Sequence, residues 1–191
     1  NLSNEEFAGF GVNEAAAFTP DAVGGIKKDQ VAAFVPEAVA GFGKEQLAAF
    51  VPEAVAGFAK EQVASFVPEA VAGFGKEQLA AFVPEAVAGF AKEQVASFDP
   101  LAMEGFDPTH VAAFDPEAMA GFKGPTLKEL DPESFAAVTT DQLAKMAPDA
   151  AAAVKNWVLP KDDIILWEGG LRGPDGEWMS AETFFDKRTT G

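Results

Sequence analysis

The sequence predicts an all-α repeat protein: a solenoid of very short helices, one for each unit of eight residues, around a stacked phenylalanine core. Two observations lead to this prediction. Residues 35–66 are repeated letter for letter as residues 67–98. From Leu2 to Val154 every eighth residue is apolar, and fourteen of the 18 phenylalanines occupy these positions. A repeat that keeps its register over such a length is typical of solenoids, in which each unit packs on its neighbours.

The predicted core is the part of this apolar column in which every member is phenylalanine. We expect its rings to lie inside the solenoid and to stack along its axis, because each unit is too short to bury a core alone. Its members are Phe34, Phe42, Phe50, Phe58, Phe66, Phe74, Phe82, Phe90, Phe98, Phe106, Phe114 and Phe122.

The local chemistry of each eight-residue unit, or octad, favours a helix of about a turn and a half followed by a corner. Pro36 suits a first helical position, and Glu37 is favourable in a first helical turn. Gly41 is placed to end the helix in the left-handed conformation. In the alternate octads lysine replaces proline, and Gln46 is placed as a capping-box partner. Strands are disfavoured for two reasons. Proline is rare inside strands, and apolar residues at spacings of three and five do not alternate with the period of two that a strand requires.

Two types of octad alternate from Pro20 to Lys92, and the alternation leaves two coil sizes open. A 16-residue coil, made of two octads, explains most simply why there are two types, one for each side. A four-sided 32-residue coil, made of four octads, also fits. With helices about 8–10 Å apart, the smaller coil predicts a rod roughly 75–95 Å long, and the larger coil predicts half that length.

The octad pattern ends at Val154, so residues 1–154 and 155–191 are predicted to be two segments. The second is predicted to contain a small β-hairpin, with strands at Ile164–Trp167 and Glu177–Met179 joined by a turn at Gly173–Gly176. It either caps the last coil or packs on another subunit as an assembly element. Its candidate interaction residues are Trp157, Trp167, Trp178, Phe184 and Phe185.

Composition argues against several classes of partner. The net charge of −16 disfavours nucleic acid and anionic lipid surfaces. No apolar run approaches the roughly 20 residues of a membrane-spanning helix, so no membrane insertion is expected. The absence of cysteine removes disulfides and thiolate sites.

No set of residues in the sequence suggests catalysis. The column of glutamates from Glu37 to Glu93 is explained by its place at the helix starts. Aspartates precede proline in four later octads and are predicted helix N-caps. His110 is the only histidine, at a position expected to face outward, and it has no second histidine or cysteine to complete a site. We therefore expect no catalytic residue, no cofactor, no metal site and no enzymatic activity.

The octad Gly43–Phe50, of sequence GKEQLAAF, and the segment Asp141–Ala144 resemble the Leu-Thr-x-Glu-Gln-Val-Ala-Ala repeats of large secreted bacterial proteins, including adhesin-like and haemolysin-type sequences. The resemblance covers roughly residues 1–154, with phenylalanine in place of leucine. It implies an exported structural protein at the cell surface. The chain is thus expected to be a subunit of an extracellular fibre or appendage, or an adhesin-type stalk, that self-associates through its ends. The alternative is a protein- or glycan-binding solenoid that uses one face of the rod.

Overall fold

A computed structural model describes residues 2–147 and residue 150, and the backbone of four short strands between residues 158 and 179. Within residues 2–147 every octad forms one helix and there is no strand, which confirms the predicted helical repeat. The α-helices are α1 (Asn4–Ala8), α2 (Val12–Ala16), α3 (Pro20–Val23), α4 (Lys28–Ala33), α5 (Pro36–Val39), α6 (Lys44–Ala49), α7 (Pro52–Val55), α8 (Lys60–Ala64), α9 (Pro68–Val71), α10 (Lys76–Leu79), α11 (Pro84–Val87), α12 (Lys92–Val95), α13 (Pro108–Ala113), α14 (Gly124–Lys128), α15 (Pro132–Ala136) and α16 (Thr140–Lys145). Two octads form 3₁₀ helices, η1 (Pro100–Gly105) and η2 (Pro116–Gly121).

The size of the coil differs from both predicted values. From α4 onward each helix packs on the helix three octads before it, so that α4 lies on α1 and α7 lies on α4. The backbone of Gly41 approaches the backbones of Val12 and Ala16, which lie between three and four octads earlier in the chain. One coil therefore holds slightly more than three octads, and neither the 16-residue nor the 32-residue coil is correct. Over residues 2–147 the helical array makes about six coils, and the expected length of this part is roughly 50 Å.

The core is a continuous column of phenylalanine rings. All twelve predicted core phenylalanines are at most 4% exposed. Consecutive rings meet edge to face, with centroids 5.3 Å apart between Phe34 and Phe42 and 5.2 Å apart between Phe74 and Phe82. Rings one coil apart also approach, as Phe58 and Phe82 do at 6.1 Å. Edge-to-face pairs contribute about 0.5–1.5 kcal/mol each beyond their burial, so the column links every coil to the next.

The glycines at the corners serve a purpose other than the predicted one. None of the described glycines has a φ in the left-handed region, so the prediction for Gly41 is wrong. A Cβ atom on Gly41 would instead lie 2.2 Å from the carbonyl oxygen of Val12 in the preceding coil. Glycine is required at this corner because two backbones approach too closely for any side chain.

The structure places four strands after the helical array: β1 (Val158–Leu159), β2 (Ile164–Trp167), β3 (Gly170–Arg172) and β4 (Trp178–Met179). They pair antiparallel in chain order. The predicted hairpin, which pairs β2 directly with β4, is not supported. Trp167 is instead the partner of Gly170 in β3, and β4 pairs with β3. The predicted turn at 173–176 lies outside the described residues.

Candidate functional site

Buried glutamine side chains connect each coil to the one before it. Gln62 is 2% exposed, and its Oε1 accepts a hydrogen bond of 2.7 Å from the backbone N–H of Ala59, which is the glutamine half of a capping box. Its Nε2 donates to the carbonyl oxygens of Val31 and Phe34, each at 2.8 Å. One amide group therefore caps its own helix and satisfies two carbonyls of the preceding coil.

The same bridge recurs in every second octad through the central array. The capping half was predicted for Gln46, whose Oε1 accepts from Gly43 N–H at 2.7 Å. The connection to the preceding coil was not predicted, because it joins residues 28 to 31 apart. Buried amides left without partners are costly, so these bridges fix how successive coils align. The glutamines that bridge two coils are Gln30, Gln46, Gln62, Gln78, Gln94 and Gln142.

His110 occupies the glutamine position of its octad and makes a similar bridge with one carbonyl acceptor. It is 5% exposed, so the prediction that it faces outward is wrong. Its Nε2 lies 2.7 Å from the carbonyl oxygen of Phe82, and its Nδ1 lies 3.3 Å from the backbone nitrogen of Asp107. With hydrogen on Nε2, the ring accepts from Asp107 N–H as a glutamine does, and it donates to one carbonyl of the preceding coil, where a central glutamine donates to two. The geometry explains His110 as a structural substitute for glutamine.

We expect His110→Gln to leave the free energy of unfolding within about 0.5 kcal/mol of wild type, because glutamine fills this position elsewhere. His110→Ala is expected to cost about 1–3 kcal/mol, since it leaves the buried Phe82 carbonyl and the part-buried Asp107 N–H without this partner. Urea unfolding followed by circular dichroism measures both. A glutamine variant as unstable as the alanine variant would contradict the bridging role.

The four aspartates before proline are N-caps, as predicted from the sequence. Asp99 accepts from Leu101 N–H at 2.9 Å, and Asp115 accepts from Glu117 N–H at 2.9 Å. Asp107 and Asp131 have further donors. Burial raises the pKa of Asp107. Hydrogen bonds from the Thr109 hydroxyl and two backbone N–H groups lower it by more than burial raises it, so the pKa lies below its ordinary value of 3.8. The pKa of Asp131 is lowered in the same manner, with Ser134 as the main donor against the effect of burial.

These lowered pKa values predict a loss of stability in acid. A carboxylate with a lower pKa in the folded state stabilises the fold above its unfolded pKa, here near 3.8, and this stability is lost as the pH falls below that value. The double variant Asp107→Asn and Asp131→Asn keeps an N-capping oxygen but cannot titrate. We expect wild type to be the more stable protein at pH 6 and the difference to shrink between about pH 4 and pH 2. Urea midpoints across this range measure it, and a difference independent of pH would contradict the assignment.

The remaining charges lie on the surface and do not converge. Lys76 Nζ is 2.6 Å from Glu104 Oε2 in the next coil, and both side chains are about half exposed, so this pair contributes little to stability. Lys145 and Glu117 form a second such pair. In the described part of the chain no group of three or more histidine, aspartate or glutamate side chains could hold a metal ion.

The described surface has shallow grooves and a few exposed apolar residues. At the N-terminal end, a groove of about 370 Å³ lies beside Phe7, Phe18 and Ile26. Four valines, at the N-cap positions of α5, α7, α9 and α11, are 37–41% exposed. Leu101, where most octads carry an acidic residue, is 71% exposed. These features do not bring polar groups together as a binding pocket for a small molecule would.

The predicted interaction residues of the C-terminal segment cannot be placed in a site. Trp157, Phe184 and Phe185 lie outside the described residues, and the side chains of Trp167 and Trp178 are also outside the described part. None of the described helices is long and apolar enough to cross a membrane. In comparisons with known proteins, no family model matches the chain, and neither does any curated protein.

Proposed function

We propose that the chain is a structural protein, whose helical array acts as a spacer in an extracellular fibre or appendage, or as an adhesin-type stalk, and which self-associates through its ends. One observation supports this role above the others: the same buried contacts are repeated from coil to coil without a change of register. A residue-for-residue duplication adds length to such an array but adds no new surface.

The monotony of the surface supports a structural role over a binding role. A binding solenoid carries varied residues at fixed surface positions, whereas octads 35–42, 51–58, 67–74 and 83–90 are identical. Leu101 is a departure, but a single exposed leucine is ordinary on soluble proteins and does not favour a binding face. Binding of a protein or glycan along the rod therefore stays the alternative hypothesis.

Negative-stain electron microscopy over a series of protein concentrations tests the proposed self-association. We expect the full chain to form filaments at high concentration and a variant lacking residues 156–191 to stay as single rods. Filaments formed by both would assign assembly to the helical array itself. Single short rods in both samples at every concentration would overturn the fibre proposal.

A further inference from the structure

The two types of octad differ at the positions where coils touch. A proline octad has proline at its second position and, in the central array, glycine at its seventh, as in 51–58. A glutamine octad has lysine at its second position, the bridging glutamine at its fourth and alanine or serine at its seventh, as in 75–82. The types alternate, and each helix packs on the helix three octads earlier. Because three is an odd number, every octad of the central array lies on an octad of the other type.

The glycine of a proline octad has no room for a side chain. A Cβ on Gly57 would lie 2.3 Å from the carbonyl oxygen of Lys28, and a Cβ on Gly73 would lie 2.1 Å from that of Lys44. In both cases the carbonyl belongs to the lysine of a glutamine octad one coil earlier. The same close approach is found at Gly89 over Lys60, at Gly105 over Lys76 and at Gly121 over Lys92.

The reverse stack tolerates a side chain. Glutamine octad 75–82, whose helix is α10, packs on α7 of a proline octad and carries Ala81 at the seventh position. Glutamine octad 91–98 carries Ser97 there. If one glutamine octad lay on another, the Cβ of its seventh residue would lie above the lysine carbonyl, at the place where proline octads have glycine. A contact of about 2.2 Å is far inside the ordinary carbon–oxygen separation and would force the two coils apart.

We infer that this alternation governs how the array changes length: octads can be gained or lost in pairs, but not in odd numbers. The duplicated segment, residues 35–66, contains four octads and preserves the stacking of unlike types. A segment of three octads is closer to one complete coil, yet its gain or loss would place like types on each other. The inference concerns the packing of the array and does not depend on the role proposed for it.

Two internal deletions in the full chain test this inference. Deletion of residues 67–98 removes four octads and leaves the alternation intact. Deletion of residues 51–74 removes only three octads but places Ala81 over Lys28 and Ser97 over Lys44. We expect the shorter protein, without 67–98, to be the more stable one, with a melting temperature higher by roughly 10 °C. Equal stability, or greater stability of the protein without 51–74, would overturn the inference.

A rescue experiment identifies the cause and remains informative if the protein without 51–74 fails to fold. Ala81→Gly with Ser97→Gly removes both new Cβ contacts, and we expect it to recover most of the lost melting temperature or the folding itself. In the undeleted chain the same pair should lower stability slightly, because glycine is the more flexible residue in the unfolded state. Failure of the pair to rescue the deletion would show that the lysine carbonyls do not set the alternation.

Discussion

Phe74→Ala is expected to lower the free energy of unfolding by about 3–5 kcal/mol, the usual cost of removing a buried phenylalanine ring. Phe74 lies at the centre of the ring column, is 1% exposed, and meets Phe66 and Phe82 edge to face at 5.4 Å and 5.2 Å. Its removal leaves a cavity between these two neighbouring rings. Urea denaturation followed by circular dichroism measures the effect.

Two controls separate the cavity from other causes. Phe74→Leu should cost less than about 2 kcal/mol, because leucine keeps most of the volume and Leu130 fills the same column position in its own octad. Phe10→Ala should also cost less, since Phe10 is only partly buried at the N-terminal end. If Phe10→Ala and Phe74→Ala were equally destabilising, the column would not be the continuous core of the array.

Local features of the fold could be predicted from the sequence, because they depend on residues within one octad. Proline at the first helical position, aspartate N-caps and the capping contact of Gln46 all involve atoms at most four residues apart. The burial of the phenylalanine column follows from the eightfold period in the same way. These predictions are correct because the octad is both the chemical and the structural unit.

The coil could not be predicted by the same reasoning, because its contacts join positions three to four octads apart. Alternation of two octad types was interpreted as two kinds of side on the solenoid. In the structure it reflects two kinds of partner within each stack, as the approach of Gly57 to Lys28 shows. The prediction that His110 faces outward is wrong for the same reason, since its bridge reaches Phe82 in another coil.

One signal in the sequence pointed to these contacts. Hydrogen-bonding residues recur at positions 30, 46, 62, 78, 94, 110, 126 and 142, and they persist in octads where most other consensus positions change. A surface position would be expected to drift with the rest. Thr126 and Gln142 are indeed buried, at 4% and 1% exposure, like the central glutamines.

Replacing four valines by threonine is expected to stabilise the array by about 2–8 kcal/mol in total, at about 0.5–2 kcal/mol for each new helix cap. Each of these valines is the N-cap of a proline octad and makes no capping hydrogen bond with its side chain. Threonine has nearly the same shape and supplies an oxygen. Thr19 already performs this role at α3, where its hydroxyl accepts from Ala22 N–H at 3.2 Å. The substitutions are Val35→Thr, Val51→Thr, Val67→Thr and Val83→Thr.

The matched control replaces the same four valines by alanine, which occupies the N-cap position at Ala59 and Ala91. Alanine removes the partly buried methyl groups and adds no cap, so this variant should be less stable than wild type. Thermal melts of the three proteins give the comparison. If the threonine variant gained nothing over wild type, the half-exposed valines would contribute as much through apolar contact as a helix cap can. The stabilising effect of valine would then explain why these N-cap positions hold valine, whereas other proline octads have aspartate or threonine there.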